Sequence, residues 1–266
     1  DKKQAEKIAK NLNTQDFTDY KQLLDKIDAV SIVVPTPLHY QVAKDFLEAG
    51  IHCLVEKPVT DTVAHAEELL ELAGKQNLVL QIGHIERFNT AVIEAQKHIS
   101  SPKFIEAQRL GPYDPRTAHI GVVMDLMIHD IDIVLGLVNS PLERTESVGI
   151  NVLTSFEDIA NARLTFKNGC IANLTASRVS DETMRKIRIF QKDTYISLDY
   201  KNAAASVYRK LQDKITKERL PIEKEQPLQK ELASFVDCVI NKKEPLVSGL
   251  VAREALAVAL TIQKQI

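Results

Sequence analysis

Apolar residues fall into two different rhythms along this chain. In the first third they come in short runs, at 29–34 (AVSIVV), 52–55 and 78–82, as expected of strands buried on both faces. Between the runs, residues 38–49, closed by Gly50, and residues 61–76, with Asp61 near the start, repeat apolar positions at helical spacing. Residues 1–12 place Ala5, Ile8, Ala9 and Leu12 on one side of a helix, and a second short helix is predicted near 19–26. Strand, helix, strand, helix, strand at this spacing means βαβ units around a parallel sheet. One more helix is predicted up to about residue 99.

Beyond residue 100 the rhythm changes. Residues 103–109 read as a strand, and 121–138 as a helix that is apolar almost all round. From 143 to 208 short strands follow one another, with turns at Lys167-Asn168-Gly169 and Gln191-Lys192-Asp193. The segments ARLTF, CIANLTA, KIRIF and TYISL alternate, so each has one packed and one wet face. The polar stretch 210–226 reads as a surface loop, and 228–241 and 251–265 as closing amphipathic helices. The predicted fold class is α/β: a Rossmann-type parallel-sheet domain over 1–100, then an α+β domain with a large, mostly antiparallel sheet over 101–266. The nine glycines include no G-x-G, the fingerprint that opens such a dinucleotide-binding domain. The expectation is a Rossmann domain truncated at its start, joined about 30 residues in, after its first βαβ unit.

Composition narrows the partners. With 44% apolar and 26% charged residues and a net charge of −2, nothing draws the chain electrostatically to nucleic acid or an anionic membrane. No apolar run reaches the length of a membrane span, and no stretch reads as a signal peptide. Cys53, Cys170 and Cys238 are far apart and odd in number, with neither metal-ligand nor disulfide spacing, so a reducing cytoplasm is expected.

Residues 121–137 concentrate the chemistry. At 3.6 residues per turn Asp125 and His129 stack on one face, with Asp132, Gly121 and Gly136 within about 40° of that line. Asp130 points elsewhere, and Val123, Met127, Val134 and Val138 form the opposite face. Two readings stand: a core helix whose Asp and His satisfy each other, or a carboxylate orienting a histidine base, with small residues leaving room for a ligand. Two shorter motifs lie at the carboxyl ends of predicted parallel strands, where open α/β sheets bind ligands. These are Pro35-Thr36-Pro37-Leu38-His39 and Glu56-Lys57-Pro58. Each alone reads as an ordinary loop.

Together these two motifs and G-x-x-x-D-x-x-x-H-D-I-D (121–132) resemble the Gfo/Idh/MocA oxidoreductase family. The resemblance covers essentially the whole chain and implies a domain binding NAD or NADP, followed by a substrate domain. It implies that Lys57, Asp125 and His129 act at a substrate hydroxyl, and that Thr36, Pro37, His39, Glu56 and Lys57 meet the cofactor. It also implies a homo-oligomer, dimer or tetramer, assembled through the C-terminal sheet. The stretches GHIERFN (83–89), RLGPYDPR (109–116) and VMDLMIHDIDI (123–133) look like the family's UDP-N-acetylglucosamine 3-dehydrogenase branch. A sugar or nucleotide-sugar substrate is therefore expected, met by Lys57, Arg87, Arg116 and His129. Arg87, Arg109 and Arg116 lie near the central helix in sequence, as cations for a diphosphate or as structural ion-pair partners. The alternative from another class is a non-catalytic NAD(P)- or sugar-sensing regulatory protein on the same fold, although such relatives usually lose the lysine or histidine. A metal-dependent hydrolase using His119 and His129 lacks a second ligand pair, and no metal is expected.

Overall fold

The computed structural model describes residues 1–223 and 225–266. The chain forms two compact units, 1–83 with 235–249, and 84–234 with 250–266. The expected boundary at residue 100 thus falls at 83/84. The reason is the helix α4 (Thr90–Gln96), whose buried Ala91, Val92 and Ala95 belong with strands more than 90 residues further along.

In the first unit, α1 (Lys2–Leu12) is capped by Asp1, whose carboxylate accepts the Gln4 N–H. The helix expected near 19–26 is a single 3₁₀ turn, Tyr20–Leu23. Then come β1 (Ala29–Ile32), α2 (His39–Glu48), β2 (His52–Glu56), α3 (Val63–Lys75) and β3 (Leu80–Gly83). The strands pair in the order β1-β2-β3, all parallel, with Val30 opposite Cys53 and Cys53 opposite Leu80. The central strand β2 is buried along Cys53, Leu54 and Val55, as a strand covered on both faces must be. Phe46, Leu47, Leu69 and Ile82 are fully buried, each worth about 1.5–3 kcal/mol on removal from water. Thr62 caps α3 by accepting the His65 N–H, and Asp61 pairs with the His65 ring.

The second unit holds α4, β4 (Phe104–Leu110), α5 (Ile128–Val138), β5 (Leu142–Ile150), β6 (Ile159–Phe166), β7 (Ile171–Ser177) and β8 (Met184–Gln191). β9 (Thr194–Asp199), β10 (Ala204–Leu211) and β11 (Lys214–Arg219) complete its sheet. The eight strands run β11-β10-β9-β8-β4-β7-β6-β5, antiparallel except for the β4–β7 pair. Ile105, Ala107, Leu164, Leu174, Ile187, Ile189 and Val207 form its buried side. The turn residues Gly169 and Asp193 have φ of +80° and +56°, the left-handed conformation such hairpins need. The stretch 210–226 is not simply a loop: β10 and β11 form a hairpin with Leu211 opposite Lys214. Residue 224 lies outside the described residues. Two helices close the chain, α6 (Pro227–Asn241) and α7 (Gly249–Gln265). Among the described residues no helix is long and apolar enough to cross a membrane.

Candidate active site

The parallel-sheet unit brings its two motifs to neighbouring strand ends. Beyond β1 the chain turns through a 3₁₀ segment, Thr36–Leu38, into α2. Beyond β2 it passes through Glu56 and Lys57 into a cis Lys57–Pro58 bond. His39 is buried, its Nδ1 2.8 Å from the Pro58 carbonyl and its Nε2 2.8 Å from the Val34 carbonyl. The ring therefore ties the ends of β1 and β2 together, and its contacts are with this framework. Thr36, Glu56 and Lys57 are half-buried and Pro37 is exposed. The Glu56 carboxylate accepts the Lys57 N–H at 3.2 Å and lies against Gly83, where a side chain would meet it at 3.0 Å.

In the large-sheet unit the helix expected over 121–138 is not uniform. Val123–Met127 is a π-helical turn, closed by the Ile128 N–H on the Val123 carbonyl, and only Ile128–Val138 is α-helical. The 3.6-residue spacing used for Asp125 and His129 thus fails across the turn that carries Asp125. Such insertions recur at functional sites. Both residues are half-buried, while Asp130 and Asp132 are the buried acids. The room expected at the two glycines is filled by protein. A Cβ at Gly121 would stand 2.0 Å from the Glu157 carboxylate, and one at Gly136 would stand 2.1 Å from the Arg87 guanidinium.

Each buried acid meets an arginine. Asp132 accepts from Arg87 Nε at 2.7 Å and Nη2 at 3.2 Å. Asp130 accepts from Arg109 Nε and Nη2, both at 3.0 Å, while Arg109 Nη1 donates to Glu86 at 3.0 Å. Burial alone would lower the Arg109 pKa, but Asp130 and Glu86 hold it above the ordinary range. Burial raises Asp130 against the pull of Arg109. Arg87, expected at the substrate, is thus committed to Asp132, because α5 is glycine where the guanidinium crosses it. Arg116 is exposed and pairs with Asp114 at 2.6 Å.

Two further residues were missed by sequence reasoning. His84 is buried, with its ring edge-on to His129 at a centroid distance of 6.3 Å; its place in GHIERFN was the only signal. Glu157 is buried and accepts the Val123 N–H at 3.1 Å, a carboxylate at the positive end of the helix. Arg178 holds the approach to this turn, donating to the Thr117 and Ile120 carbonyls at 2.6 Å each and pairing with Asp158 at 2.9 Å. Beside the turn lies a cavity of about 280 Å³ whose lining includes Asp125, Leu126, Gly111, Ser177, Arg178 and Arg185.

A parallel three-stranded βαβ unit and a unit built on a large, mostly antiparallel sheet define a two-unit protein of the α/β class. Residues 1–84 match the family described as "Oxidoreductase family, NAD-binding Rossmann fold", and residues 89–196 match the "GFO/IDH/MocA C-terminal domain". The chain is similar to the UDP-N-acetylglucosamine 3-dehydrogenase of Acidithiobacillus ferrooxidans, with 36% identity across 97% of this chain and 85% of the relative. The solved structure of that enzyme matches with a TM-score of 0.95 over 99% of this chain and 86% of its own. Levoglucosan dehydrogenase, solved with NADH and levoglucosan, has the same fold at 18% identity, with a TM-score of 0.90 over 100% of this chain and 85% of its own. The chain belongs to the Gfo/Idh/MocA family of NAD(P)-dependent dehydrogenases. Beyond the strand ends of its first unit, Val33 and Leu38 are 68% and 50% exposed, apolar surface that suits the flat nicotinamide ring.

Proposed function

We propose that the chain oxidises a secondary hydroxyl of a nucleotide sugar, UDP-N-acetylglucosamine or a near relative of it, with NAD or NADP as the hydride acceptor. The observation that carries this reading is the 36% identity extending through 97% of the chain. It runs through the large-sheet unit as well as the dinucleotide unit. The nicotinamide supplies a two-electron acceptor for the hydride. Within the protein, the half-buried His129 takes the hydroxyl proton. Asp125, four residues earlier on the π-helical turn, stabilises the positive charge that forms on the His129 ring. The Lys57 ammonium stabilises the oxygen as it takes on alkoxide character. Thr36, Pro37, Glu56 and Lys57 meet the cofactor, and His39 holds the strand ends on which they sit. Arg116 remains a candidate for the substrate's outer phosphate. The enzyme works as a homo-oligomer through the open face of its large sheet, in the cytoplasm, where three buried cysteines outside any disulfide are at home.

The test is a spectrophotometric assay of nicotinamide reduction by the purified protein, with UDP-N-acetylglucosamine, UDP-glucose, free N-acetylglucosamine and myo-inositol offered in parallel. Turnover confined to UDP-sugars is expected. Turnover of inositol or a free sugar with none on any UDP-sugar would overturn the substrate reading.

A further inference from the structure

Three guanidiniums line the cavity beside Asp125, and they differ in what they already hold. Arg109 is buried and bound to Asp130 and Glu86. Arg178 is buried and bound to Asp158 and backbone carbonyls. Arg185, the second residue of β8, is exposed, and its side chain makes no hydrogen bond or ion pair among the described residues. In the β4–β8 ladder it lies directly opposite Arg109, so the two side chains leave the sheet on the same face. Two like charges so placed repel each other. Arg109 is held by two acids, Asp130 and Glu86, and Asp130 also feels the charge of Arg185; Arg185 is the exposed cation of the three at the cavity wall.

The other walls suit a polar ligand. Ser177 and Thr183 line the cavity together with the carboxylate-bearing Asp114 and Asp125, and the Ser177 hydroxyl already accepts from the Val179 N–H and the Ser180 hydroxyl. Gly111 lines it too, and a side chain built there would meet nothing within 4 Å. Its backbone is fully engaged, N–H to the Ser177 carbonyl at 3.0 Å and C=O from the Ser180 N–H at 3.1 Å. The main chain is therefore fixed while the space above it stays open. At about 280 Å³ the cavity is too small for a whole nucleotide sugar, since ligand sites run from about 300 to 1,000 Å³. It is the size of a subsite.

We infer that this cavity is the anion subsite of the substrate, with Arg185 binding the phosphate oxygens of its nucleoside diphosphate while the sugar lies toward Asp125. The inference rests on the nucleotide-sugar reading above and assigns the phosphate contact to Arg185 in place of Arg87, which Asp132 holds. A guanidinium–phosphate pair is charge-assisted and can be bidentate. Its loss weakens binding about tenfold to a hundredfold.

The test uses the whole protein and two variants. Arg185→Gln removes the charge; Gly111→Val fills the cavity from a position with open space, and unchanged melting temperatures show that both fold. Calorimetric titration with UDP and with inorganic pyrophosphate should show binding to the unaltered protein and a tenfold or greater loss in each variant. Steady-state kinetics should show KM for the UDP-sugar raised by the same factor with kcat nearly kept, because the contact lies away from the reacting carbon. An unaltered protein that turns over UDP-sugars while Arg185→Gln keeps both KM and UDP affinity would overturn the subsite and leave the proposed function standing. If no UDP-sugar is oxidised, the proposed function falls. Pyrophosphate then decides alone: binding lost in Arg185→Gln supports the anion site, and absence of binding overturns it.

Discussion

His129 and Asp130 are adjacent in sequence and do opposite work. Asp130 is buried and held by Arg109, whereas His129 is half-buried with its ring edge-on to that of His84. The sequence allowed both readings of this helix because Asp and His look alike whether they hold a core together or serve a substrate. The difference is legible only through the arginines at 87 and 109, whose partners on α5 lie 45 and 21 residues further along. Arg87 and Arg109 therefore belong to the framework, and the proposed chemistry rests on Lys57, Asp125 and His129. Lys57→Met and His129→Ala should each lower kcat by 10²- to 10⁴-fold while cofactor affinity changes far less. Asp125→Asn should cost less than His129→Ala, since a neutral amide still accepts a hydrogen bond. Melting temperature and kcat measured on the same samples separate chemistry from folding. A folded His129→Ala protein with near-normal kcat would remove His129 from the mechanism.

At the scale of elements, the hairpin turns were readable because Gly169 and Asp193 supply left-handed backbone, which local chemistry announces. The π-turn at Val123–Met127 was not, because its apolar positions fit a straight helix equally well; what fixes it is Glu157, 34 residues further along. Strand β11 was missed because Lys214–Arg219 is exposed throughout and offers Ile215 alone as an apolar residue. The segment before β6 turns on Asp158. Burial by itself would raise its pKa, but the N–H groups of Leu153, Thr154 and Val152 and the Thr154 hydroxyl hold it well below the ordinary range. A carboxyl lowered in the folded state contributes stability that is present above its unfolded pKa, about 3.9, and is lost as pH falls through the folded value. Asp158→Asn should therefore be less stable than the unaltered protein at pH 7, with the gap closing below about pH 4. Chemical-denaturation midpoints taken from pH 7 to pH 3 check this. A gap that stays constant over that range would show that the charge of Asp158 contributes nothing.

For the molecule as a whole, the parallel and antiparallel sheets were both legible from alternation, and the boundary between units was not. Residues 84–100 look like the end of the first unit by composition but bury their apolar side against β9 and β10. The large sheet also has a second face, opposite the one that carries Ile105, Ile189 and Val207. On it Phe104, Phe190, Tyr195 and Tyr208 stack in register across four strands, with centroids 5.7, 4.8 and 4.9 Å apart. Val148 and Ile150 of β5 are more than half exposed on the same sheet. Polar pairs lie among them, Glu106 with Arg188 and Arg163 with Asn173. An aromatic ladder interleaved with matched charges suits a second copy of the same surface, since a twofold contact sets each patch against its own complement. Aromatic area of this extent is normally covered in a stable protein. Sedimentation at micromolar concentration should therefore give a dimer or tetramer. Phe190→Asp, which places a charge in the centre of the ladder, should shift the mass toward the monomer while circular dichroism stays unchanged. A monomeric mass for the unaltered protein at that concentration would rule out assembly through this face, and an unshifted oligomer in Phe190→Asp would move the interface elsewhere.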